Sequence, residues 1–247
     1  MSKQFAAILA VIILAFGGII LISSHKSSSS SNSKTSTTTA TNHVMGSTST
    51  GVRLVEYGDF ECPYCEQYYP TVKAVTTEFK DQIEFQFRNF PLVNVHQNAF
   101  AGARAAEAAA LQGKYWEMHD ALYEPSNWQV WSTSNNPTVQ FKQYAAMLGL
   151  NAAKFASDFA STKVNDTVRA DMDEGNRLNI QGTPTFFLDG KQVTVANDQA
   201  AFEKVIKAEI AKKAPTATSS ATTPASTGPD SSTSSAATDT ATPTTTQ

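Results

Sequence analysis

Cys62 and Cys65 are the only two cysteines in this 247-residue chain, and two residues separate them. A dithiol at that spacing can open and close a disulfide between its own sulfurs, or it can supply half of a zinc site. It is no structural staple, because bridging such near neighbours closes almost no loop and removes little chain entropy. A zinc site would need two further ligands. The chain offers His25, His43, His96 and His119, and no two of them have a His-x₃₋₅-His spacing. The pair therefore points to thiol redox chemistry, with no metal and no cofactor.

Only a thiolate exchanges, so such a site must lower the pKa of one sulfur. Pro63 is favoured at the first position of a helix, which puts Cys62 at the helix start, where free N–H groups and the macrodipole favour negative charge. Cys65 lies one turn further in and is more shielded. Cys62 is thus expected to be the exposed sulfur that meets a substrate, and Cys65 the partner that closes or resolves the bond. Glu61 and Glu66 flank the pair and oppose thiolate formation to the extent that they are buried. Glu56 falls in an apolar run that reads as a buried strand, where desolvation would raise its pKa. Two readings stay open for it: proton relay to Cys65, or a carboxylate satisfied by a lysine or by water.

The elements that must position these groups can be read from periodicity. Residues 53–57 form a central strand, and a helix from Pro63 carries Tyr68, Val72, Val75 and Phe79 on one face. In residues 83–88, Ile83, Phe85 and Phe87 alternate with Glu84, Gln86 and Arg88, as in a half-buried strand. Residues 96–111 and 115–123 read as helices, and a loop holds Pro125, Trp128 and Trp131. Further helices begin near Pro137, Asn151 and Lys163, with Asn151 as an N-cap. Residues 185–188 and 192–195 form a hairpin about Asp189-Gly190, followed by a closing helix with Phe202, Val205, Ile206 and Ile210 on one face. His96 and His119 read as packing or surface histidines on helices, and Trp116, Trp128 and Trp131 as core. The sequon at Asn165 is too short a match to carry weight.

Several ordered motifs together resemble one family. The stretch Val55-Glu56-Tyr57-Gly58-Asp59-Phe60-Glu61-Cys62-Pro63-Tyr64-Cys65 is similar to the active-site region of DsbA-like thioredoxin-fold proteins. Phe87-Arg88-Asn89-Phe90-Pro91-Leu92, Gly113-Lys114-Tyr115-Trp116 and Gln181-Gly182-Thr183-Pro184-Thr185-Phe186-Phe187 extend the likeness over most of residues 53–213. The resemblance implies an α/β thioredoxin fold at 51–213 with an all-helical insertion at about 96–179. It also implies a cis-proline at Pro184 that leaves the Thr183 backbone free for an extended substrate, and a buried acid at Glu56. Pro63 and Tyr64 join Thr183 and Pro184 on the substrate-facing surface. Base rates alone leave Pro184 open between cis and trans.

The flanks have a different composition. Residues 5–23 are apolar, with Lys3 in the short N-terminal end at 1–4. They fit an uncleaved transmembrane anchor better than a cleaved signal, since no small-x-small site follows. Residues 24–50 and 214–247 are rich in Ser, Thr, Ala and Pro, and read as a disordered linker and tail. The expected protein is a single-pass membrane protein, or a secreted one, with its catalytic domain extracytoplasmic. A net charge of −3 without a basic stripe excludes nucleic acid. The implied activity is protein-disulfide oxidation by a monomer acting on exported thiol proteins, with reoxidation by a membrane partner of the DsbB or vitamin K epoxide reductase type. Reductase and isomerase directions stay open, as does a non-enzymatic adhesion or display role.

Overall fold

The structure, a computed structural model, describes residues 40–214. The expectations for 1–39 and 215–247, including the apolar segment at 5–23 and nearly all of the tail, lie outside the described residues. No helix among the described residues is long and apolar enough to cross a membrane.

Five strands form one sheet in the order β1-β3-β2-β4-β5. They are β1 (Val44–Gly46), β2 (Val52–Gly58), β3 (Ile83–Asn89), β4 (Thr185–Leu188) and β5 (Lys191–Val193). β2 lies parallel to β3 through the crossover helix α1 (Pro63–Glu78) and antiparallel to β4, so it is buried by neighbours on both edges. Val52, Leu54 and Glu56 face the main core, whereas Tyr57 packs on the other side with Phe90, Ile180 and Phe187. The pleat therefore points Glu56 into the same apolar layer as Leu54. β4 and β5 turn through Asp189 (φ 48) and Gly190 (φ 76), the paired left-handed residues of a tight hairpin. β5 ends at Val193, two residues short of the expected strand.

Between β3 and β4 the chain is helical: α2 (Ala99–Ala110), α3 (Tyr115–Tyr123), α4 (Pro125–Trp131), α5 (Thr138–Met147), α6 (Ala152–Phe159) and α7 (Thr162–Arg177). A closing helix, α8 (Gln199–Lys213), packs on α1 and β2. Asn151 caps α6 by accepting from the Lys154 N–H at 2.8 Å. The run at 125–131, expected as a loop, is helix α4. Pro125 sits at its first position, where the missing N–H costs nothing, and the burial of Trp131 holds the turn. The helix expected from residue 96 starts at Ala99, which leaves His96 in the preceding turn.

Two expectations about the sheet are corrected. The linker does not extend to residue 50: Val44–Gly46 pair antiparallel with Glu84, Phe85 and Gln86 of β3. Thr41 is buried, and both its N–H and its hydroxyl donate to Asp171 on α7, at 2.8 and 2.9 Å. β3 is accordingly not half-buried. Gln86, on the face expected to meet solvent, is covered by this N-terminal strap, its side-chain amide donating to the Thr41 carbonyl at 3.3 Å.

Candidate active site

Cys62 is the N-cap of α1, with extended backbone (φ −69, ψ 123) and no side-chain oxygen to satisfy the first turn. Its carbonyl accepts the Glu66 N–H at 3.1 Å, which starts the helix. The sulfur thus stands where a capping oxygen would, in front of the Tyr64 and Cys65 N–H groups. Both thiols are free, so this is the reduced dithiol state. The Cys62 thiol is pulled down to about 6, first by the hydrogen bond from Cys65 and then, against the cost of burial, by Thr183 and the backbone N–H groups of Cys65 and Tyr64. Cys65 is pushed well above the usual thiol value by burial, by its hydrogen bond to Cys62 and by the nearby charges of Cys62 and Glu56. The two sulfurs are therefore unlike: one is poised to ionise and the other is held protonated.

Cys62 is not the open sulfur expected from the sequence. It is only 3 % exposed, against 1 % for Cys65. The loop between α7 and β4 lies against it, with the Cys62 thiol donating to the Thr183 carbonyl at 3.4 Å. The Thr183–Pro184 bond is cis. Pro63 is exposed and Tyr64 is 64 % exposed, so these two form the outer surface of the motif. Cys62, Cys65, Thr183 and Pro184 are brought together.

Glu56 lies beneath this site, 4 % exposed, and its carboxyl forms no hydrogen bond or ion pair among the described residues. Burial, followed by the charge of Cys62, raises it to about 8. The lysine partner that the sequence left open for it does not exist here: Lys73 pairs with Asp120 at 2.8 Å instead. A cavity of about 70 Å³ adjoins Glu56 and is lined also by Tyr69, Lys73, Trp116, His119 and Asp120. It has room for a few waters. His119 is a packing histidine, with ring centroids 4.9 Å from Phe87 and 5.1 Å from Tyr123, and burial lowers its pKa. Trp131 is core, whereas the Trp128 indole N–H holds the Phe60 carbonyl at 2.8 Å, just before the motif.

One residue close to the cysteines, Asp59, is not singled out by the sequence, and its partner His96 reads there only as a packing or surface histidine. Asp59 is fully buried, and its carboxylate accepts from the Glu61 and Leu92 N–H groups at 2.8 Å each. It also holds His96 Nδ1 at 2.7 Å. Its backbone reaches both sulfurs' residues: the carbonyl takes the Cys62 N–H at 3.1 Å, and the N–H points at Cys65 Sγ at 3.5 Å. An aspartate two residues before a free N–H is a recognisable Asx-turn signal. Nothing local marks His96 as its partner. Glu61 accepts the Asn98 N–H at 2.5 Å, and its pKa is raised, first by burial. No cluster of three or more potential metal ligands occurs among the described residues.

A sheet of this order, with a dithiol at the N-terminus of the first crossover helix and a cis-proline loop facing it, defines a thioredoxin-type protein. The thioredoxin family model matches residues 38–208, and the chain belongs to that family. Its fold is that of DsbA-like thiol–disulfide oxidoreductases. It superposes on a thioredoxin-like oxidoreductase from Silicibacter pomeroyi with a TM-score of 0.58 at 24 % identity, covering 70 % of this chain and 92 % of that one. For BdbD from Bacillus subtilis the values are 0.56, 24 %, 68 % and 92 %, and for α-DsbA1 from Wolbachia pipientis 0.56, 21 %, 69 % and 91 %. In sequence, 169 residues are 35 % identical to a protein of Mycolicibacterium gilvum named a Na⁺/H⁺ antiporter, NhaA 1. The match covers 68 % of this chain but only 26 % of that protein, so the chain spans about a quarter of the curated relatives' length.

Proposed function

We propose that this protein is an extracytoplasmic protein-disulfide oxidoreductase working in the oxidising direction, tethered to the membrane through residues 5–23. The observation that carries the reading is the asymmetry of the dithiol: Cys62 is pulled down to about 6, while Cys65, three residues on, is held protonated. A thiolate stabilised in the reduced protein makes the disulfide a better electron acceptor.

In the disulfide form, a substrate thiolate attacks Cys62 Sγ and forms a mixed disulfide, and Cys65 leaves as a thiolate. A buried thiolate needs a proton, and Glu56, protonated below about 8, supplies it. The water-sized cavity beside Glu56 is the route by which that proton is replaced. As the substrate arrives, its backbone pairs with the Thr183 edge, whose carbonyl is free in the disulfide form because Cys62 then has no thiol proton to donate. A second substrate thiolate then attacks the substrate sulfur of the mixed disulfide, and Cys62 leaves as a stable thiolate. Two electrons have moved to the protein, and the substrate holds a new disulfide. A quinone-linked membrane partner of the DsbB or vitamin K epoxide reductase type takes these electrons, and tethering keeps the domain at high effective concentration near it. The substrates are exported thiol-containing proteins, and the working unit is a monomer.

The reduction potential tests the direction. A Cys62 thiol near 6 lies between thioredoxin's at about 7 and DsbA's at about 3.5. Equilibration with glutathione buffers should therefore give a potential between about −270 and −120 mV. A value at or below about −270 mV would make the domain a tethered reductase instead.

A further inference from the structure

The Cys-Pro-Tyr-Cys segment carries no cation of its own, and Glu61 and Glu66 flank it with negative charge. The structure nevertheless places a histidine at this end of the molecule. The turn at residues 92–96 wraps around the Asp59 carboxylate: Leu92 donates its N–H to Asp59 Oδ2, the His96 N–H closes the turn on the Leu92 carbonyl at 2.9 Å, and the His96 ring returns to the same Oδ2. With Oδ1 taken by the Glu61 N–H, every bond to the Asp59 carboxylate is donated to it, so Nδ1 of His96 carries a proton. Nε2, which has no protein partner among the described residues, is left to take up or release the second one.

Asp59 joins this histidine to the dithiol. It lies three residues before Cys62, accepts the Cys62 N–H and donates its own N–H to Cys65 Sγ. The groups whose charges act on His96 are Asp59, Glu61 and Cys62, all from the connection between β2 and α1, and residues 92–98 add no other titratable side chain. Burial opposes the imidazolium, but the Asp59 hydrogen bond and these three charges outweigh it and raise the His96 pKa. Coulomb coupling is reciprocal: if the Cys62 thiolate stabilises the imidazolium, the imidazolium stabilises the thiolate by the same amount.

We propose that His96, oriented by Asp59, is a positioning residue that supplies the positive charge missing from the Cys-Pro-Tyr-Cys motif and stabilises Cys62 as a thiolate and leaving group. This rests on the oxidoreductase reading of Cys62 given above. The charge is conditional. It is present below the raised His96 pKa and is lost as the pH rises through it, so thiolate stabilisation weakens on the alkaline side.

The test is the pH dependence of iodoacetamide alkylation of the reduced full chain with Cys65 kept in place, since its hydrogen bond is the first cause of the low Cys62 value; Cys65, buried and held protonated, does not compete for the reagent. His96→Gln should shift the Cys62 titration to higher pH, with a severalfold lower thiolate fraction on the acidic limb. His96→Lys should restore the low value and remove the alkaline weakening. Equal Cys62 titrations with and without His96→Gln would overturn the proposal. So would equal losses in the Gln and Lys variants, which would make the histidine a packing residue. The oxidoreductase reading fails separately, if Cys62 already titrates like an ordinary thiol when His96 is intact.

Discussion

The Cys62 thiol donates to the Thr183 carbonyl at 3.4 Å, and the residue after Thr183 enters through a cis peptide bond. The attacking end of a helix and the backbone edge that would hold an extended substrate are thereby in direct contact, although 121 residues separate them. The contact belongs to the reduced thiol: once Cys62 ionises or joins a disulfide it has no proton to donate, and the Thr183 carbonyl is free for a substrate backbone. Bond formation at Cys62 and pairing along the Thr183 backbone are therefore coupled, with Cys65 shielded behind.

This arrangement sets the outcome of removing either sulfur. Cys62→Ser should abolish exchange, because Cys65 is 1 % exposed and held protonated. Cys65→Ala should still attack substrate disulfides but cannot resolve the product, so mixed disulfides accumulate and appear on non-reducing gels. If Cys65→Ala traps no partner from an extract of exported proteins, the assignment of Cys62 as the exchanging sulfur is wrong.

Glu56 gives a stability signature with a definite sign. Its pKa rises from about 4.5 in the unfolded chain to about 8 in the fold, mainly through burial. The unfolded chain loses this proton first, so the contribution of the neutral carboxyl is complete below about 4.5 and is lost as the pH climbs towards about 8. The cost at neutral pH is about 3 kcal/mol. Glu56→Gln removes that titration. Urea midpoints of variant and wild type should converge near pH 5 and diverge towards pH 8, with the variant the more stable, while its exchange slows. Parallel midpoints across that range would mean that the carboxyl is already ionised in the fold.

How much of this was legible in the sequence depended on sequence distance. Cys62, Cys65 and Glu56 share a single strand–helix stretch, so periodicity and helix-start chemistry reached them, and the family motif added Thr183 and Pro184. His96 and Asp59 are 37 residues apart, and their meeting depends on two turns folding onto each other, for which composition carries no signal. The N-terminal strap failed for a related reason. Residues 41–46 (Thr-Asn-His-Val-Met-Gly) break the Ser/Thr-rich run for too few positions to show a strand period, and what orders them is remote: β3 for residues 44–46 and, 130 residues from Thr41, Asp171. The cover over Cys62 was likewise invisible, since Thr183 belongs to a distant loop.

Gly58, at the end of β2, is fixed by close approach rather than by a turn. A Cβ there would run into the ring of Phe87 and come within 3.3 Å of Glu56 Oε1. Phe87 is itself fully buried against Phe60 and Tyr123, so it has nowhere to move. Gly58→Ala should cost about 1–3 kcal/mol by overpacking and should disturb the setting of Glu56. Thermal unfolding with and without the Glu56→Gln change would show the coupling. If the two effects simply add, Gly58 is not part of the Glu56 environment.

The strap also makes the domain's stability depend on residues that resemble a tether. Asp171 is fully buried and accepts five hydrogen bonds: the Thr41 N–H and hydroxyl, the Asn89 N–H and side-chain amide, and Arg88 Nη1 at 3.1 Å. Asp171→Asn turns an acceptor-only group into one whose amide must face some of those donors. It also leaves Arg88, half of whose ion pairing is with Glu174, without its buried partner. A loss of about 3 kcal/mol is expected. Thr41→Val removes a single hydroxyl donor and should cost about 1 kcal/mol. Deleting residues 1–43 should then lower the urea midpoint by more than Thr41→Val does. It removes the whole strap anchor, including His43, which stacks on Tyr115 and lies 2.9 Å from Glu107. An unchanged midpoint in the deletion would return residues 40–43 to the linker and confine the domain to the residues that follow.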